Sequence, residues 1–579
     1  MRFVIVCIIL LFSSNFAIAE DKKPKNPFRV EGSIGMAHDY YSIESSGLSS
    51  IRARRPEHLS RFQLYTRFSK GKVSLPFEIS FNTQSGIVSS TTDGYKEAFS
   101  IVSSWKSFDD VLRFVSNPVN RIGFSPQFGK FRFRLGTSNP YFSELTQGNI
   151  SQFGAGLDYT GKRMFFSLGY GISQPGQSKD TLLGIAGTYR REQASFRFGL
   201  GKQEASFFAI NVTGSNDFAL SGLIPDSSQK AQQGIASSLQ WKIQLGRVFY
   251  WENEAAFSLF NEDKNATAFN AADLGLPELP NEIKLTTGTR ADIAGSTSIG
   301  LELGASRISA KALYVGAGYR SLAYPFMQAD RMELTINPRL NLFKNNLVLS
   351  GSFGQRVNNL SGTKAAPMNQ LIVQSNINIR FTNWFSLSGG YGNFGTRSGV
   401  LNDSFRIENV AQNFQIAPLF TWQRKKGIHN FLFSANKDEF QDLNILTGSI
   451  GNNQSEIFLI SWNRNPSIGA FSYGLSYNRF KFSSAFAALN NESYQANFAA
   501  RIFKRRLNLI SGIGRLINIA DIKNSADKQW IMNLGLDYRS KSGFGFGIRW
   551  NNNNYVYGSA RPDSRFNENT LRINTSWQF

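Results

Sequence analysis

The chain has 579 residues, with 63 Lys and Arg against 41 Asp and Glu, three histidines and one cysteine. Aromatic residues reach 14% and charged residues 18%, at a mean hydropathy of −0.25. A disordered chain would lack the aromatics, and a helical membrane protein needs apolar runs of about 18 residues, which are absent beyond the first nineteen. What remains is an all-β protein that spreads apolar side chains in alternation.

Met1–Ala19 reads as a secretory signal: Arg2, an apolar stretch from Phe3 to Phe12, and Ala17-Ile18-Ala19 before Glu20. Its removal would take away Cys7, so the exported chain is expected to carry neither disulfide nor thiol chemistry. Residues 20–27 are expected to form a short periplasmic segment and 28–579 the folded body.

One early stretch breaks the strand pattern. In Glu97–Ser116, residues Ala98, Ile101, Val102, Trp105, Phe108, Leu112 and Val115 recur at helical spacing, and Asn117-Pro118 would end the helix. The segment is expected to be a short amphipathic helix, acting as an internal plug or lying outside; an irregular strand pair with a long loop is the alternative. As a plug it would place Trp105, Asp109, Asp110, Asn117, Pro118, Asn120 and Arg121 at a constriction.

Further along, period-two alternation recurs. Arg331–Phe343 sets Met332, Leu334, Ile336, Leu340 and Leu342 opposite Arg331, Glu333, Thr335, Asn337 and Arg339. The same reading holds for Leu371–Phe381, Tyr494–Ile502, Trp530–Tyr538 and Gly543–Asn551, and it places Arg380, Arg501 and Arg549 on the wet face. The last segment, Asn569–Phe579, puts Leu571, Ile573, Trp577 and Phe579 on one side and Arg572, Asn574 and Gln578 on the other. Trp577 and Phe579 are the expected signal for membrane assembly.

Tight basic or glycine turns (Gly71-Lys72, Gly161-Lys162, Lys344-Asn345, Lys425-Lys426, Lys504-Arg505, Lys541-Ser542) alternate with longer polar stretches near 85–117, 260–296, 396–411, 439–453 and 555–568. Short turns on one side and long loops on the other mark a transmembrane β-barrel. The spacing predicts one large antiparallel barrel of about 24–28 strands, since a spanning strand needs about 9–11 residues. Hairpins near 118–137 and 206–223 are the weakest elements of that count. In a bilayer every backbone N–H and C=O must be paired internally, which a closed barrel achieves. Arg339 or Arg380 facing lipid would cost about 2–4 kcal/mol near the midplane, so the alternation also fixes the register. Tyr159, Trp384, Trp462, Trp530, Trp550 and Trp577 suit interfacial girdles.

Catalytic signals are poor. His38, His58 and His429 are scattered, with no H-x-x-x-H or C-x-x-C spacing, so neither a metal site nor a cofactor is expected and an enzyme is disfavoured. Gly543, Gly545 and Gly547 occur at strand spacing with no helix after them, which points to close neighbours in a sheet and not to a phosphate loop. The excess of arginine on the wet face suggests a cationic lumen that favours anionic solutes or an acidic partner segment. The competing reading is that Glu31, Asp158, Glu333 and Asp537 neutralise those arginines and brace a filled interior. Nucleic acid is a poor explanation of the positive charge in an exported barrel.

The stretch Asn117-Pro118-Val119-Asn120-Arg121-Ile122-Gly123-Phe124-Ser125-Pro126, followed by Tyr141-Phe142-Ser143, Leu145-Thr146, Gly148 and Gly154-Ala155-Gly156, resembles a motif of large outer-membrane barrels of the Bacteroidetes type. The resemblance implies an integral barrel in the outer membrane of a Gram-negative bacterium, inserted by the barrel-insertion machinery and surrounded by lipid and lipopolysaccharide. The expected function is a solute channel or transporter selecting by size and charge. The alternative is a non-enzymatic scaffold or translocon component that binds an exported protein or lipoprotein.

Overall fold

The computed structural model describes residues 28–47, 55–82, 114–115, 120–176, 187–219, 228–269, 284–363, 367–399, 407–425, 427–444, 446–466, 471–504, 506–520, 526–558, 561 and 563–579. The signal segment, residues 20–27 and most of the 97–116 segment, including Trp105, Asp109 and Asp110, lie outside them, as do Asn117 and Pro118.

All described strands belong to one antiparallel sheet of 27 strands. Apart from Arg121–Phe124 and Gln127–Phe128, each pairs with its neighbours in sequence, and the first, Arg29–Ser46, also pairs with the last, Arg565–Gln578, from Ser33↔Gln578 to Ser46↔Arg565. The sheet is thereby sealed into a cylinder. Arg121–Phe124 and Gln127–Phe128 both lie between Val73–Asn82 and Phe131–Ser138, interrupted at Ser125-Pro126, so they form one broken stave and the barrel has 26. Proline has no N–H to give the ladder, which accounts for the break.

The stave number falls inside the expected range. The weak hairpin near 118–137 is present, whereas the described residues of 206–223 carry a single strand, Phe207–Phe218. The basic and glycine turns all lie at the end where the two terminal strands finish. Several use the left-handed backbone: Lys344 (φ 57°), Lys504 (φ 58°) and Gly71 (φ 60°). The longer connections lie at the opposite end, and those expected at 260–296, 396–411, 439–453 and 555–568 are shorter than expected because the strands run past the alternating segments. Pairing in the strand Ala526–Arg539, for example, continues beyond Trp530 toward the loops. Apolar alternation marks only the part of a strand that meets lipid; hydrogen bonding continues into water.

The two faces separate cleanly. Met332, Leu334 and Ile336 are 47–52% exposed on the outside, while Thr335 between them is 6% exposed. Across the ladder, Glu333 pairs with Arg356 and Ile336 with Phe353, so like faces meet. The exterior is apolar around the cylinder and the interior is polar, the reverse of a water-soluble core; with closed backbone pairing this makes the chain a transmembrane β-barrel. Gly547 fits the close-neighbour reading: a Cβ there would lie 2.5 Å from Asn574 Oδ1 and 2.7 Å from Asp537 Oδ1.

Candidate functional site

The lumen contains a folded-in segment. Strand Phe131–Ser138 ends at Asn139-Pro140, and the ladder resumes only at Gln152–Thr160. Between them the chain turns inward. Ser143 and Thr146 close a tight bend, with their hydroxyls 2.6 Å apart and the Thr146 N–H donating to Ser143 Oγ at 3.1 Å. Phe142, Leu145, Thr146 and Gln147 are at most 2% exposed, although the surrounding wall is polar.

Apolar burial accounts for the docking of this bend. Leu145 packs against Ala256, Ala294, Leu313, Val315 and Tyr319, a small core inside the barrel. Burying a leucine contributes about 1.5–3 kcal/mol toward holding the segment, and hydrogen bonds add to it. Those bonds come largely from the loop 316–330, which also lies inside the rim. Tyr319 donates its hydroxyl to Leu145 O at 2.9 Å, Ser321 donates to Thr146 O, and the Gly148 N–H donates to Ala323 O at 3.2 Å. Burial, with the nearby Glu254 carboxylate, raises the Tyr319 phenol above its ordinary pKa and keeps it a neutral donor. A Cβ on Gly148 would stand 2.6 Å from the Tyr324 ring, so the approach of the two segments requires glycine there. Lys311 forms an ion pair with Glu144.

The wall supplies a further anchor. Arg197, 6% exposed, donates to Phe142 O and to Gln240 Oε1 (3.1 Å), and its guanidinium lies 5.3 Å from the Phe165 ring centre and 6.0 Å from that of Phe207. Glu254 is set against Ser143, Ser238 and the Leu145 backbone.

Beside the bend is a lumenal cleft of about 920 Å³. Its charged lining is Arg121, Lys130, Arg132, Arg134 and Arg197 against Glu78 and Asp158. Asp158 is engaged by Arg134 at 3.0 Å and by the Ser167 hydroxyl. Among the described residues, Arg121 and Arg132 have no ion pair, and the cleft as a whole sets five cations against two acids beneath Tyr141 and Phe142.

The sequence-derived lumen candidates are on the inner face. Arg331 and Glu333 come together at 3.9 Å, and Arg356 reaches the same Glu333 oxygen at 2.7 Å. Arg549 pairs with Asp537 at 3.2 Å, and Glu31 pairs with Arg67 at 3.3 Å. The four acids expected to brace the interior therefore all have arginine partners. Arg339, Arg380 and Arg501 lie on the inner face near the short-turn rim, without an ion pair among the described residues. Arg339 is directly opposite Arg307, whose guanidinium meets the Tyr250 hydroxyl. Of the expected constriction, Asn120 is fully buried in the wall, donating to Phe114 O at 2.8 Å, and Arg121 lines the cleft.

Sequence reasoning singled out Tyr141-Phe142-Ser143, Leu145-Thr146 and Gly148 only as part of a motif, and it missed their inward path, the partners Arg197, Lys311 and Tyr319, and Arg132 and Arg134. The available signal was the loss of alternation after Asn139-Pro140 in a stretch still rich in apolar residues. The histidines are also less scattered than expected: the β register brings His38 Nε2 to 3.3 Å from His58 Nδ1 on the outer face. No group of three potential His, Cys, Asp or Glu ligands exists among the described residues. Trp577 lies at the short-turn rim, donating from Nε1 to Ser542 O at 3.0 Å, and Phe579 pairs through its backbone with Gly32.

No family model matches the chain, and no curated protein matches it. Among solved structures, OpdK of Pseudomonas aeruginosa, crystallised with vanillate, is similar at 11% identity and a TM-score of 0.30, covering 67% of this chain and 98% of its own. OpdQ of the same organism aligns over 95% of this chain and 98% of its own at 10% identity and a TM-score of 0.31. OccAB4 of Acinetobacter baumannii gives 13% identity, 67% and 98% coverage and a TM-score of 0.28. The barrel assignment here stands on the strand pairing of this chain.

Proposed function

We propose that the protein is an outer-membrane channel that passes small anionic solutes, selects them by size and charge, and performs no covalent chemistry. The observation that carries this reading is the lumenal cleft beside the inward bend, whose lining sets five cations against two acids and in which Arg121 and Arg132 have no ion pair among the described residues. In a lumen walled by protein and lipid, field lines are focused along the pore, so a few uncompensated guanidinium groups raise the local concentration of anions. The second unbalanced set, Arg339, Arg380 and Arg501 at the short-turn rim, would act in the same direction. Like charges set opposite each other, as in Arg307 and Arg339, are a cost to the sheet and are consistent with selection for an anion path.

The export signal expected in Met1–Ala19 and the apolar exterior support placement in the outer membrane. The resemblance of 117–126 to Bacteroidetes-type barrels belongs to the same proposal. The test is reconstitution of the full chain in planar bilayers under a salt gradient. Discrete conductance with a reversal potential favouring anions is expected. Silent bilayers, even after 141–147 is replaced by a short glycine linker, would overturn the reading in favour of a non-conducting scaffold.

A further inference from the structure

The outer surface has a feature that the lumen does not explain. Across the strands Gly427–Asp442, Asn453–Asn465, Phe471–Ser484, Ala488–Ile502, Leu507–Ala520 and Ala526–Arg539, a groove of about 970 Å³ runs between outward side chains. Its floor is low because Ala496 sits between Leu475 and Ile513 on the neighbouring strands. Trp462 stands toward the short-turn side. At the loop side the groove is bounded by one cross-strand row, Tyr477↔Tyr494↔Arg515↔Trp530.

Arg515 is exposed on this lipid-facing surface, with its guanidinium 5.4 Å from the Trp530 ring centre. Among the described residues it has no ion pair. The nearby Glu492 is engaged by Arg479 at 3.8 Å and by the Tyr494 hydroxyl at 3.2 Å. Some other outward cations are matched by an acid, as in Arg190 with Glu192 (2.5 Å) and Lys437 with Glu439 (3.2 Å). Lys528 is opposite Ile517, one outward position above Arg515, so the two cations are diagonal neighbours with Cα atoms about 7–8 Å apart. Lys528 also has no ion pair among the described residues.

An outward arginine is costly at the bilayer midplane but nearly free of penalty at the interface. A row of Tyr and Trp marks the interface, so Arg515 stands at headgroup level with an apolar groove running below it into the hydrocarbon. Guanidinium and ammonium groups side by side suit phosphate oxygens, and the groove suits fatty acyl chains. We propose that this surface is a binding site for a phosphorylated, multiply acylated lipid of the leaflet on the long-loop side, of the lipopolysaccharide type, with its phosphate on Arg515 and Lys528 and an acyl chain over Ala496. The proposal uses the outer-membrane placement argued above and is independent of solute passage.

The test is native mass spectrometry of the full-length protein in detergent, titrated with lipid A, dephosphorylated lipid A or phosphatidylcholine. Lipid A is expected to be retained over the other two. A charge-assisted hydrogen bond contributes about 1.5–3 kcal/mol, so the R515Q/K528Q double variant should lose at least about tenfold in lipid A affinity. Ala496→Trp, which fills the groove, should weaken retention with the charges intact. Equal retention of dephosphorylated lipid A by the unaltered protein, unchanged binding by the double variant, or displacement of lipid A by inorganic phosphate alone would each overturn the proposal. Conductance measured on the same samples should be unchanged by R515Q/K528Q, so failure of the channel reading and failure of the lipid site give different results.

Discussion

Arg572 donates to Asp39 through Nε at 2.5 Å and Nη2 at 3.0 Å, joining residues 533 positions apart across the seam where the first and last strands meet. Arg61, on the next strand round the wall, donates to the same carboxylate at 3.3 Å. Asp39 is 12% exposed and its arginines 41–46%, so one inward acid bridges three adjacent staves.

Removing that acid should weaken closure. Asp39→Ala leaves two arginines facing each other without a counter-charge and is expected to cost about 1–3 kcal/mol. Heat-modifiable mobility on gels should show folded barrel lost at a lower temperature, with Asp39→Asn falling between the two. An unchanged melting profile for Asp39→Ala would refute a sealing role.

Charge reversal in the cleft tests the anion path. Arg132→Glu, and more strongly R121E/R132E, should move the reversal potential in a salt gradient toward cations. Arg515→Glu on the outer face should leave it in place. Similar shifts from both changes would show that selectivity does not arise in the cleft.

The inward bend should be held chiefly by Leu145. Leu145→Ala opens a cavity in the small lumenal core and is expected to cost about 2–5 kcal/mol of docking. Tyr319→Phe, which removes one hydrogen bond to Leu145 O, should cost about 0.5–1.5 kcal/mol. Single-channel records should show larger and noisier currents in that order. Gly148→Ala should act in the same sense, at about 1–3 kcal/mol, because its methyl meets the Tyr324 ring.

The orientation of the wall can be checked on one strand. Ile336→Arg puts a charge into lipid and should cost about 2–4 kcal/mol where the position lies near the midplane. Asn337→Arg, one residue on and facing the lumen, should refold with little loss. Equal penalties in a detergent-to-lipid refolding titration would contradict the assigned faces.

The barrel was legible in the sequence because lipid imposes a local rule. Each strand must alternate by itself, so Arg331–Leu342 or Arg565–Gln578 announces its two faces without reference to any partner. The lumenal site obeys no such rule. Leu145 is held by Tyr319 and Thr146 by Ser321, which are 174 and 175 positions away, and nothing in either stretch reveals the other. The helical spacing of 97–116 drew attention to the segment just before it. Arg132 and Arg134 were hidden for another reason: they alternate with Phe131, Phe133 and Leu135 like any wall residues, and only the placement of Glu78 and Asp158 shows which cations stay unbalanced. His38 and His58 were separated by sequence and joined by register.

The anchors of the inward bend set an order of events during biogenesis. Residues 139–150 dock on Leu313, Val315, Tyr319 and Ser321, which belong to a hairpin lying more than a quarter of the circumference away. A growing, still-open sheet would therefore carry an undocked bend, and the gate would be fitted only after that hairpin had curved round to meet it. The nascent barrel would accordingly be leakier than the finished one.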